Sequence, residues 1–562
     1  MGNQRSRNWF QGPEYYAFAR RAWLRSEGFD RSIFEGKPVI GIANSWSELN
    51  NCNVHLKQVA EAVKRGVWAA GGVPLEFPTI SLGEMLMKPT AMLFRNLMAM
   101  DVEESIRANP LDGVVLLCGC DKTTPAMLMG AASADVPTIV VPGGPMLAGT
   151  WRDRKLGSGT DGRKLFDLFR AGRLSEEQWC EVEGAIARTS GHCTVMGTAS
   201  TMTSLAEALG MTLPGCANIP APDARRLAIA EASGRRIVAM VEEELRPSRI
   251  LTRAAFDNAI AVLMALGGST NAVVHLPAMA GRVGIRIALD AFDRISRRTP
   301  WIVNVKPSGE HLMEDLFEAG GVPVVMREIL PLLDASCLTV TGRTVGENVG
   351  AAECLRRDVV TRLSEPLAAE GGIAVLGGNV APNGAVIKQT AASAGLMRHR
   401  GPAYVFENRD QMYAEIDRED LPVDENTVLV MKNCGPKGGP GFPEWGQIPL
   451  PAKLLKRGVA DMVRISDARM SGTSFGTVVL HVAPESAAGG PLAAVRTGDL
   501  VELDVERRRI DLLVEDGEIA RRLAEWTPPK PAYERGYGKL FLDHVTQADQ
   551  GCDFDFLMPE MK

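Results

Sequence analysis

Apolar runs alternate with helical patterns over the first 150 residues of the chain. KPVIGIAN (37–44) is a continuous apolar run, and residues 56–72 follow it with apolar positions three and four apart and glycines at the end. Three more apolar runs follow in VPLEFPTI, DGVVLL and VPTIVVPGG, with a helical pattern in AMLMGAASA before the last of them. This alternation predicts a doubly wound, mostly parallel α/β sheet.

Polar side chains follow the predicted strands. Ligands of parallel sheets lie beyond the carboxyl ends of the strands. Cys52 follows the first apolar run, Glu84 the second, and Cys120 with Asp121 the third. The connectivity therefore predicts that these side chains lie along the same edge of the sheet.

The pattern changes beyond about residue 370. Short β-like runs such as GIAVLGG, TVLVMK, GTVVLHVAP and DLVELDVERRRIDLLV are separated by Gly, Pro and Asn. They predict a second domain built on an antiparallel barrel or sandwich. The expected fold class is α/β, with an N-terminal doubly wound, mostly parallel α/β domain over residues 1–373 and a C-terminal β-barrel-like domain over residues 374–562.

The composition argues against several classes of protein. The chain has 562 residues, 45% of them hydrophobic and 23% charged, which is typical of a globular protein with more than one core. Lys and Arg total 62 against 68 Asp and Glu without a dense basic tract, so no nucleic-acid partner is expected. No apolar stretch approaches the roughly 20 residues that span a bilayer, and no apolar signal core is present. We therefore expect no membrane association and a cytoplasmic location.

Three of the ten cysteines stand out by their surroundings. Disulfides are not expected without an export signal, and burial is the ordinary state of a free cysteine. Cys52, Cys120 and Cys193 each lie in a loop rich in Gly, Ser, Thr or Asn, where backbone donors can approach inorganic sulfide. These residues alone leave two alternatives open, namely an iron–sulfur or other soft-metal site and three buried thiols.

The segment GVVLLCGCDKTTPAM places a thiol, a carboxylate and an amine side by side. Cys120 and Asp121 are adjacent, so in an extended loop their side chains diverge and can serve two metal centres. Thiolates select iron and hard oxygens select Mg²⁺, for which Glu84 and Glu444 are further candidates. Helix capping or a surface salt bridge is the simpler alternative for Glu84 and Asp121. Lys122 would either pair with Asp121 or, with a depressed pKa, add CO₂ and become an anionic ligand.

The segment ISDARMSGTSFG carries two hydroxyl side chains, Ser471 and Thr473, among small residues with free backbone donors. Such a loop suits either an anion-binding nest or an activated hydroxyl. No His–Asp pair lies nearby in the sequence, so a hydrolase triad is not predicted. GPKGGPGFPEWG has the glycine density of a phosphate loop but not the Walker order, so no nucleotide site is predicted there.

Ordered motifs over nearly the whole chain resemble the dihydroxy-acid and phosphogluconate dehydratase family, and more closely its sugar-acid branch, the arabinonate and xylonate dehydratases. The motifs include NSWSELNNCN, SLGEMLMKPTAMLFRNLMAMDVEESI, LCGCDKTTPA, SGHCTVMGTASTM, GGSTNAVVHLPA, KNCGPKGGPGFPEWG and DARMSGTSFG. Each motif is weak evidence by itself. Their number and order make the resemblance specific.

The resemblance implies two inorganic centres and a serine base. Three thiolates would hold an iron–sulfur cluster of the 2Fe–2S type: Cys52, Cys120 and Cys193. Four oxygen donors would hold Mg²⁺, the last of them as a lysine carbamate: Glu84, Asp121, Glu444 and Lys122. The catalytic pair would be Ser471 as base with Thr473 beside it. The family fold implies a site between an α/β domain and a β-barrel domain, in a homodimer or homotetramer.

The implied reaction is the elimination of water from an aldonic acid. A hydro-lyase of this kind converts a 2,3-dihydroxy carboxylate to a 2-keto-3-deoxy acid, with Mg²⁺ and iron as Lewis acids and Ser471 as acceptor of the C2 proton. The implied partner is thus a small-molecule sugar acid.

Two other functions remain open. One is another dehydratase activity of the same family, either the dihydroxy-acid dehydratase of branched-chain amino-acid synthesis or, as a weaker candidate, phosphogluconate dehydratase. The other is a non-catalytic iron–sulfur electron carrier or sensor. An electron carrier would leave the oxygen donors without a use. The sequence departs from the family pattern at Asn51 and Asn383, where relatives often carry proline and aspartate. Neither is an implied ligand, so we expect these departures to affect substrate fit.

Overall fold

The computed structural model describes residues 4–559. The strands, numbered β1–β14 in chain order, are Val39–Asn44, Val73–Pro78, Gly113–Cys118, Thr138–Pro142, Gly149–Trp151, Arg154–Leu156, Ala374–Leu376, Gly384–Ile387, Arg398–Phe406, Val428–Met431, Arg464–Ser466, Val478–Ala483, Leu500–Asp504 and Arg509–Leu512. The α-helices, numbered α1–α20, are Arg7–Phe10, Tyr15–Ser26, Leu56–Ala69, Arg95–Ala108, Thr123–Ala134, Thr160–Arg170, Glu176–Ile186, Thr198–Ala208, Ala224–Glu242, Pro247–Ile250, Arg253–Leu266, Ala272–Gly281, Leu289–Arg298, Met313–Ala319, Gly321–Glu328, Val345–Val349, Arg409–Glu415, Ala452–Lys456, Asp516–Ala524 and Gly536–His544.

The first four strands form a parallel sheet in the order β2–β1–β3–β4, so the predicted doubly wound sheet is confirmed. β1 and β3 are buried at every position, as expected where helices cover a parallel sheet. Helix α9 packs on β3 and β4 and against α3, while α5 packs on β3 and against α4. The loops that follow β1, β2 and β3 therefore emerge at one edge of the sheet.

The second large sheet has eight strands in the order β14–β13–β9–β10–β11–β12–β8–β7. Gly377, just after β7, bridges to Arg509 in β14, so the two ends of the sheet meet. The sheet is thus nearly closed, and the predicted barrel-like architecture is confirmed.

The expected antiparallel pairing is wrong for the four central strands of this sheet. β9, β10, β11 and β12 pair in parallel, whereas β7, β8, β13 and β14 pair antiparallel. Parallel neighbours need long crossover connections, and those after β9 and β10 contain the short helices α17 and α18. Helices of five to seven residues are too short to give a clear helical period in the sequence.

The hydrophobic core continues from the first sheet and its helices into the second sheet. Helices α11 and α12 are buried almost throughout. Their cluster includes Val386, Val478 and Leu480 from the second sheet and Met470 from the loop between β11 and β12. A smaller cluster joins Phe541, Cys552 and Phe554 near the C-terminus to side chains of the first 280 residues, Met92, Leu93 and Val274. In residues 4–559, no helix combines the length and the apolar character that crossing a bilayer requires.

Candidate active site

Five loops that follow strands hold most of the predicted site residues. The loops after β1, β2 and β3 belong to the first sheet, and those after β10 and β11 belong to the second. In chain order these loops contain Cys52, Glu84, the run Cys120–Lys122, Glu444 and Ser471. Cys193 lies just before α8.

The three predicted cluster cysteines lie together. Cys52 lies beside Cys120, and Cys193 lies within electrostatic reach of both. Cys120 is buried, whereas Cys52 and Cys193 are partly exposed. The interaction with Cys120, followed by burial, raises the pKa of Cys52, and burial raises the pKa of Cys193 to about 12. Such thiols stay protonated unless a metal ion binds and displaces the proton.

Close backbone contacts hold the cysteine loops against one another. A Cβ on Gly119 would lie only 2.8 Å from Asn53 Oδ1 and 2.9 Å from the carbonyl oxygen of Cys52, so glycine permits this approach. The amide of Gly191 donates to the carbonyl oxygen of Asn51 at 3.1 Å and ties the Cys193 loop to the Cys52 loop. Asn51, one of the departures from the family pattern, therefore lies beside the thiols. The other departure, Asn383, is exposed.

The four predicted oxygen donors also meet, around the amine of Lys122. Its Nζ lies 3.0 Å from Glu84 Oε2, 3.0 Å from Glu444 Oε1 and 3.4 Å from Asp121 Oδ2. Lys122 is fully buried. Glu84 Oε2 is buried without a hydrogen-bond partner, so its contact with the amine is ionic only. Three carboxylates gathered in the interior carry more negative charge than one ammonium balances.

Of the two alternatives for Lys122, the structure has the ion pair with Asp121, and the pKa of the amine is raised and not depressed. Burial and Arg469 disfavour its charged form, but the attraction of Glu444, Glu84 and Asp121 outweighs both and raises the pKa. Burial opposes ionisation of Glu444 as well, yet Lys122 and Arg469 lower its pKa to about 2. Burial and the neighbouring carboxylates raise the pKa of Asp121 to about 6. The sequence placed Lys122 beside one acid, whereas the fold surrounds it with three.

As the side chains stand, residues 4–559 contain no group of three His, Cys, Asp or Glu side chains arranged to hold a metal ion. At the oxygen cluster the reason is visible, because the three carboxylates point at the Lys122 ammonium. If the Lys122 ammonium first loses a proton, the neutral amine can add CO₂ with loss of a second proton, and this would replace the cation by an anionic oxygen ligand. The four side chains would then share one sign of charge and would need a cation between them.

Three further side chains hold the carboxylates in place, and the sequence did not single them out. Glu444 Oε1 accepts hydrogen bonds from Asn271 Nδ2 at 2.8 Å and from Arg469 Nη1 at 2.9 Å. Thr90 Oγ1 donates to Glu84 Oε1 at 2.8 Å and accepts from Arg469 Nη2 at 3.3 Å. Each of the three lies inside a family motif. Their place inside these motifs is the one sequence feature that could have pointed to them.

The predicted hydroxyl pair lies in the loop between β11 and β12. Ser471 Oγ and Thr473 Oγ1 are 3.0 Å apart, and Thr160 Oγ1 donates to the carbonyl oxygen of Thr473 at 2.7 Å. A Cβ on Gly472 would lie 2.5 Å from the amide of Thr198, so the loop packs directly on the first residue of α8. The pair is thus held against the N-terminal ends of α6 and α8.

Two family models match the chain. They are the dihydroxy-acid/6-phosphogluconate dehydratase N-terminal model over residues 37–348 and the corresponding C-terminal model over residues 358–552. The chain belongs to the dihydroxy-acid/6-phosphogluconate dehydratase family. The resemblance found in the sequence motifs is therefore confirmed.

Relatives of this dehydratase family cover almost the full chain. The L-arabinonate dehydratase of Rhizobium leguminosarum bv. trifolii is 53% identical over 98% of this chain and 96% of that protein. The 6-deoxy-6-sulfo-D-gluconate dehydratase of Pseudomonas putida is 49% identical over 98% of this chain and 96% of that protein. The dihydroxy-acid dehydratase of Ignicoccus hospitalis is 42% identical over 97% of this chain and 99% of that protein. Sugar-acid dehydratases are thus the more similar relatives among these three.

Proposed function

We propose that the protein is an aldonic acid dehydratase, a hydro-lyase that converts a 2,3-dihydroxy carboxylate to a 2-keto-3-deoxy acid. One observation carries the proposal: a cluster of three thiols and a cluster of three carboxylates meet at the adjacent residues Cys120 and Asp121. Soft and hard donors side by side suit two different metal centres and one substrate between them. The 53% identity to an L-arabinonate dehydratase supports a sugar acid as substrate.

The donors present fit the two inorganic groups that the family implies. Cys52, Cys120 and Cys193 would hold a 2Fe–2S cluster, since thiolate is the usual ligand of iron in such clusters. Carboxylate oxygens suit Mg²⁺, and the orphaned Glu84 Oε2 is one buried oxygen that such an ion would satisfy. The proposed Mg²⁺ ligands are Glu84, Asp121, Glu444 and a carbamate on Lys122.

The chain's own residues would orient the substrate and move the proton. When bound, the two metal centres would supply Lewis acidity for the departing C3 hydroxyl and for charge developing at C1 and C2. Ser471 Oγ takes the weakly acidic C2 proton. Thr473 Oγ1, 3.0 Å away, holds the oxygen of Ser471 in position. Asn271 and Arg469 donate to the same oxygen of Glu444 that contacts Lys122, and these bonds would keep the carboxylate from turning.

The wider organisation of the protein is proposed on the same basis. We divide the chain into domains of residues 1–373 and 374–562, with Ser471 in the second, and the start of the barrel-like sheet at Ala374 supports this boundary. A cytoplasmic location and a homodimer or homotetramer stay predictions.

Dihydroxy-acid dehydratase is the second candidate function, favoured by the 42% identity to the Ignicoccus hospitalis protein. An electron carrier or sensor is disfavoured, because it would have no use for the carboxylates around Lys122. Anaerobic turnover of a panel of aldonates, dihydroxyisovalerate and 6-phosphogluconate separates these functions when iron, sulfide and magnesium are quantified in the same sample. We expect an aldonate to be dehydrated fastest. A sample with full cluster and magnesium that dehydrates no aldonate refutes the proposal.

Two variants and a control distinguish the role of the cluster from the role of the base. Cys120→Ser removes a thiolate ligand, so both the visible cluster absorbance and the activity should be lost. Ser471→Ala removes only the base, so the protein should stay brown and become inactive. Cys180→Ser is the control, because Cys180 is an exposed cysteine on α7 and should change neither property. A colourless Ser471→Ala protein would count against Ser471 as the base.

A further inference from the structure

Lys388 is a buried lysine without a counter-charge. It follows β8, is only 1% exposed, and its Nζ approaches the carbonyl oxygen of Gly472 at 3.5 Å. Among residues 4–559 no carboxylate forms an ion pair with it, and burial lowers its pKa to about 7. The buried Lys122 and Lys432 differ, because each contacts at least one carboxylate.

An unpaired ammonium in the interior is costly, and it is useful only where negative charge appears during function. The carbonyl group that Lys388 contacts belongs to the residue between Ser471 and Thr473. Two hydrogen bonds fix the chain after Lys388 along the same loop. The amide of Gly476 donates to the carbonyl oxygen of Ala391 at 2.8 Å, and the amide of Ser393 donates to the side-chain oxygen Oγ1 of Thr477 at 3.2 Å. Lys388 is therefore held against the turn that carries the proposed base.

We propose that Lys388 is a positioning residue for the base: its ammonium holds the turn 471–473 through Gly472 and stabilises the deprotonated oxygen of Ser471. This inference rests on the proposed function. The Ser471 hydroxyl first loses its proton to water. The resulting oxyanion takes the C2 proton, the C2–H electron pair forms the C2–C3 double bond, and the C3 hydroxide departs. Ser471 gives the proton to this hydroxide, which leaves as water, and the oxyanion is restored.

The charge of Lys388 should appear in the pH dependence of the reaction. A lysine carries its charge below its pKa, so kcat/KM should fall as the pH rises through about 7, the value for the buried amine. Arginine remains charged at every accessible pH. In Lys388→Arg this decline should therefore move to higher pH.

A purely structural role for Lys388 predicts a different effect on stability. The pKa of Lys388 is lower in the folded than in the unfolded state, so between pH 7 and 10.5 the unfolded state binds more protons and stability rises with pH. Near pH 7 the buried charge is thus a cost to folding. Lys388→Met should leave Tm unchanged or raise it, whereas a structural lysine would lower Tm when removed.

The first experiment compares kinetics and stability in three variants of the holoenzyme. For Lys388→Met we expect kcat to fall about 100-fold with little change in KM, in iron content or in magnesium content. Lys388→Arg should restore most of kcat. Lys432→Met is the matched control, since Lys432 is a buried lysine directly after strand β10 that pairs with Glu407. This variant should be less stable, but its kcat should stay that of the wild type. Wild-type kcat and pH profile in Lys388→Met would overturn the inference.

A second experiment does not depend on turnover. Ser471→Cys places a thiol at the position of the base, and its pKa can be followed by pH-dependent alkylation, with mass spectrometry of the peptide that contains residue 471. With Lys388 present this pKa should be about one unit lower than in Ser471→Cys/Lys388→Met. Equal values in the two proteins would overturn the inference. If the shift is found but no aldonate is dehydrated, only the proposed function fails.

Discussion

At the scale of single residues, Cys120 and Asp121 show how much local geometry decides. Adjacent side chains diverge in an extended loop, and in the structure the thiol of Cys120 lies beside Cys52 while the carboxylate of Asp121 faces Lys122. The sequence predicted this divergence from spacing alone. It could not predict the raised pKa of Lys122, because that shift depends on Glu84 and Glu444, which are remote in sequence.

The residues that the sequence did not single out are those that hold other site residues in place. Arg469 is fully buried, and it connects the two carboxylates by donating to Glu444 directly and to Thr90, which itself donates to Glu84. Arginine two residues before a candidate base has no distinctive sequence signature. Only the packed structure shows which oxygens its fork of donors reaches.

Arg469→Lys tests this connection while it keeps the positive charge. A lysine has one nitrogen and cannot contact Glu444, Thr90 and the carbonyl oxygen of Phe442 together, as Arg469 does. We expect magnesium affinity, measured by titration of metal-depleted protein, to fall roughly 10-fold to 100-fold. Arg457→Lys, at an exposed position, should leave it unchanged. Unaltered affinity in Arg469→Lys would mean that the arginine does not hold the carboxylates.

At the scale of secondary-structure elements, long periodic segments were predicted well and short ones poorly. The first four strands and α3 lie where the apolar pattern placed them, and β1 and β3 are apolar at consecutive positions because both faces of a parallel sheet are buried. The parallel core of the second sheet was missed. Its strands β10 and β11 have only four and three residues, and pairing direction depends on connections that carry no periodic signal.

Helix α3 approaches α9 so closely that a side chain has no room at the contact. A Cβ on Gly66 would lie 1.9 Å from the carbonyl oxygen of Glu231. Gly66→Ala should therefore force the helices apart and lower the free energy of unfolding by about 1–3 kcal/mol, despite the higher helix propensity of alanine. Thermal unfolding measures the effect.

Gly184→Ala in α7 is the matched control for this helix contact, since a Cβ there meets no atom within 4 Å. That variant should be neutral or more stable by about 0.5–1 kcal/mol, because alanine is the better helix former. Equal Tm values for the two variants would show that α3 and α9 can separate freely.

At the scale of the whole molecule, the proposed site exists only where the two sheets meet. Glu444 and Ser471 come from loops of the second sheet, whereas Glu84 and the cysteines come from loops of the first part of the chain. The sequence predicted both sets, through strand ends and motifs. It could not predict the C-terminal segment that reaches back, since contacts between residues 450 positions apart leave no local pattern.

That segment is fastened by a buried ion pair. Asp553 accepts from Arg282 Nε at 2.6 Å and from Nη2 at 3.0 Å, and both side chains are fully buried just beyond the end of α12. Arg95 also donates to the carbonyl oxygens of Gly551 and Cys552, at 2.9 and 2.8 Å. These contacts hold the end of the chain on the helices that pack behind the proposed site.

Asp553→Asn should therefore be strongly destabilising. It leaves the buried Arg282 with only Glu103 as a counter-charge, at 3.3 Å, and loss of one partner of a buried pair costs about 3–5 kcal/mol. Asp543→Asn breaks the exposed pair with Lys539 in α20 and should cost less than about 1 kcal/mol. Thermal unfolding of both variants, with magnesium content measured on the folded protein, distinguishes the loss of the buried anchor from the loss of a surface charge. If Asp553→Asn unfolds at the same temperature as Asp543→Asn, the C-terminal segment does not anchor the fold, and the proposed site is held together by the barrel loops alone.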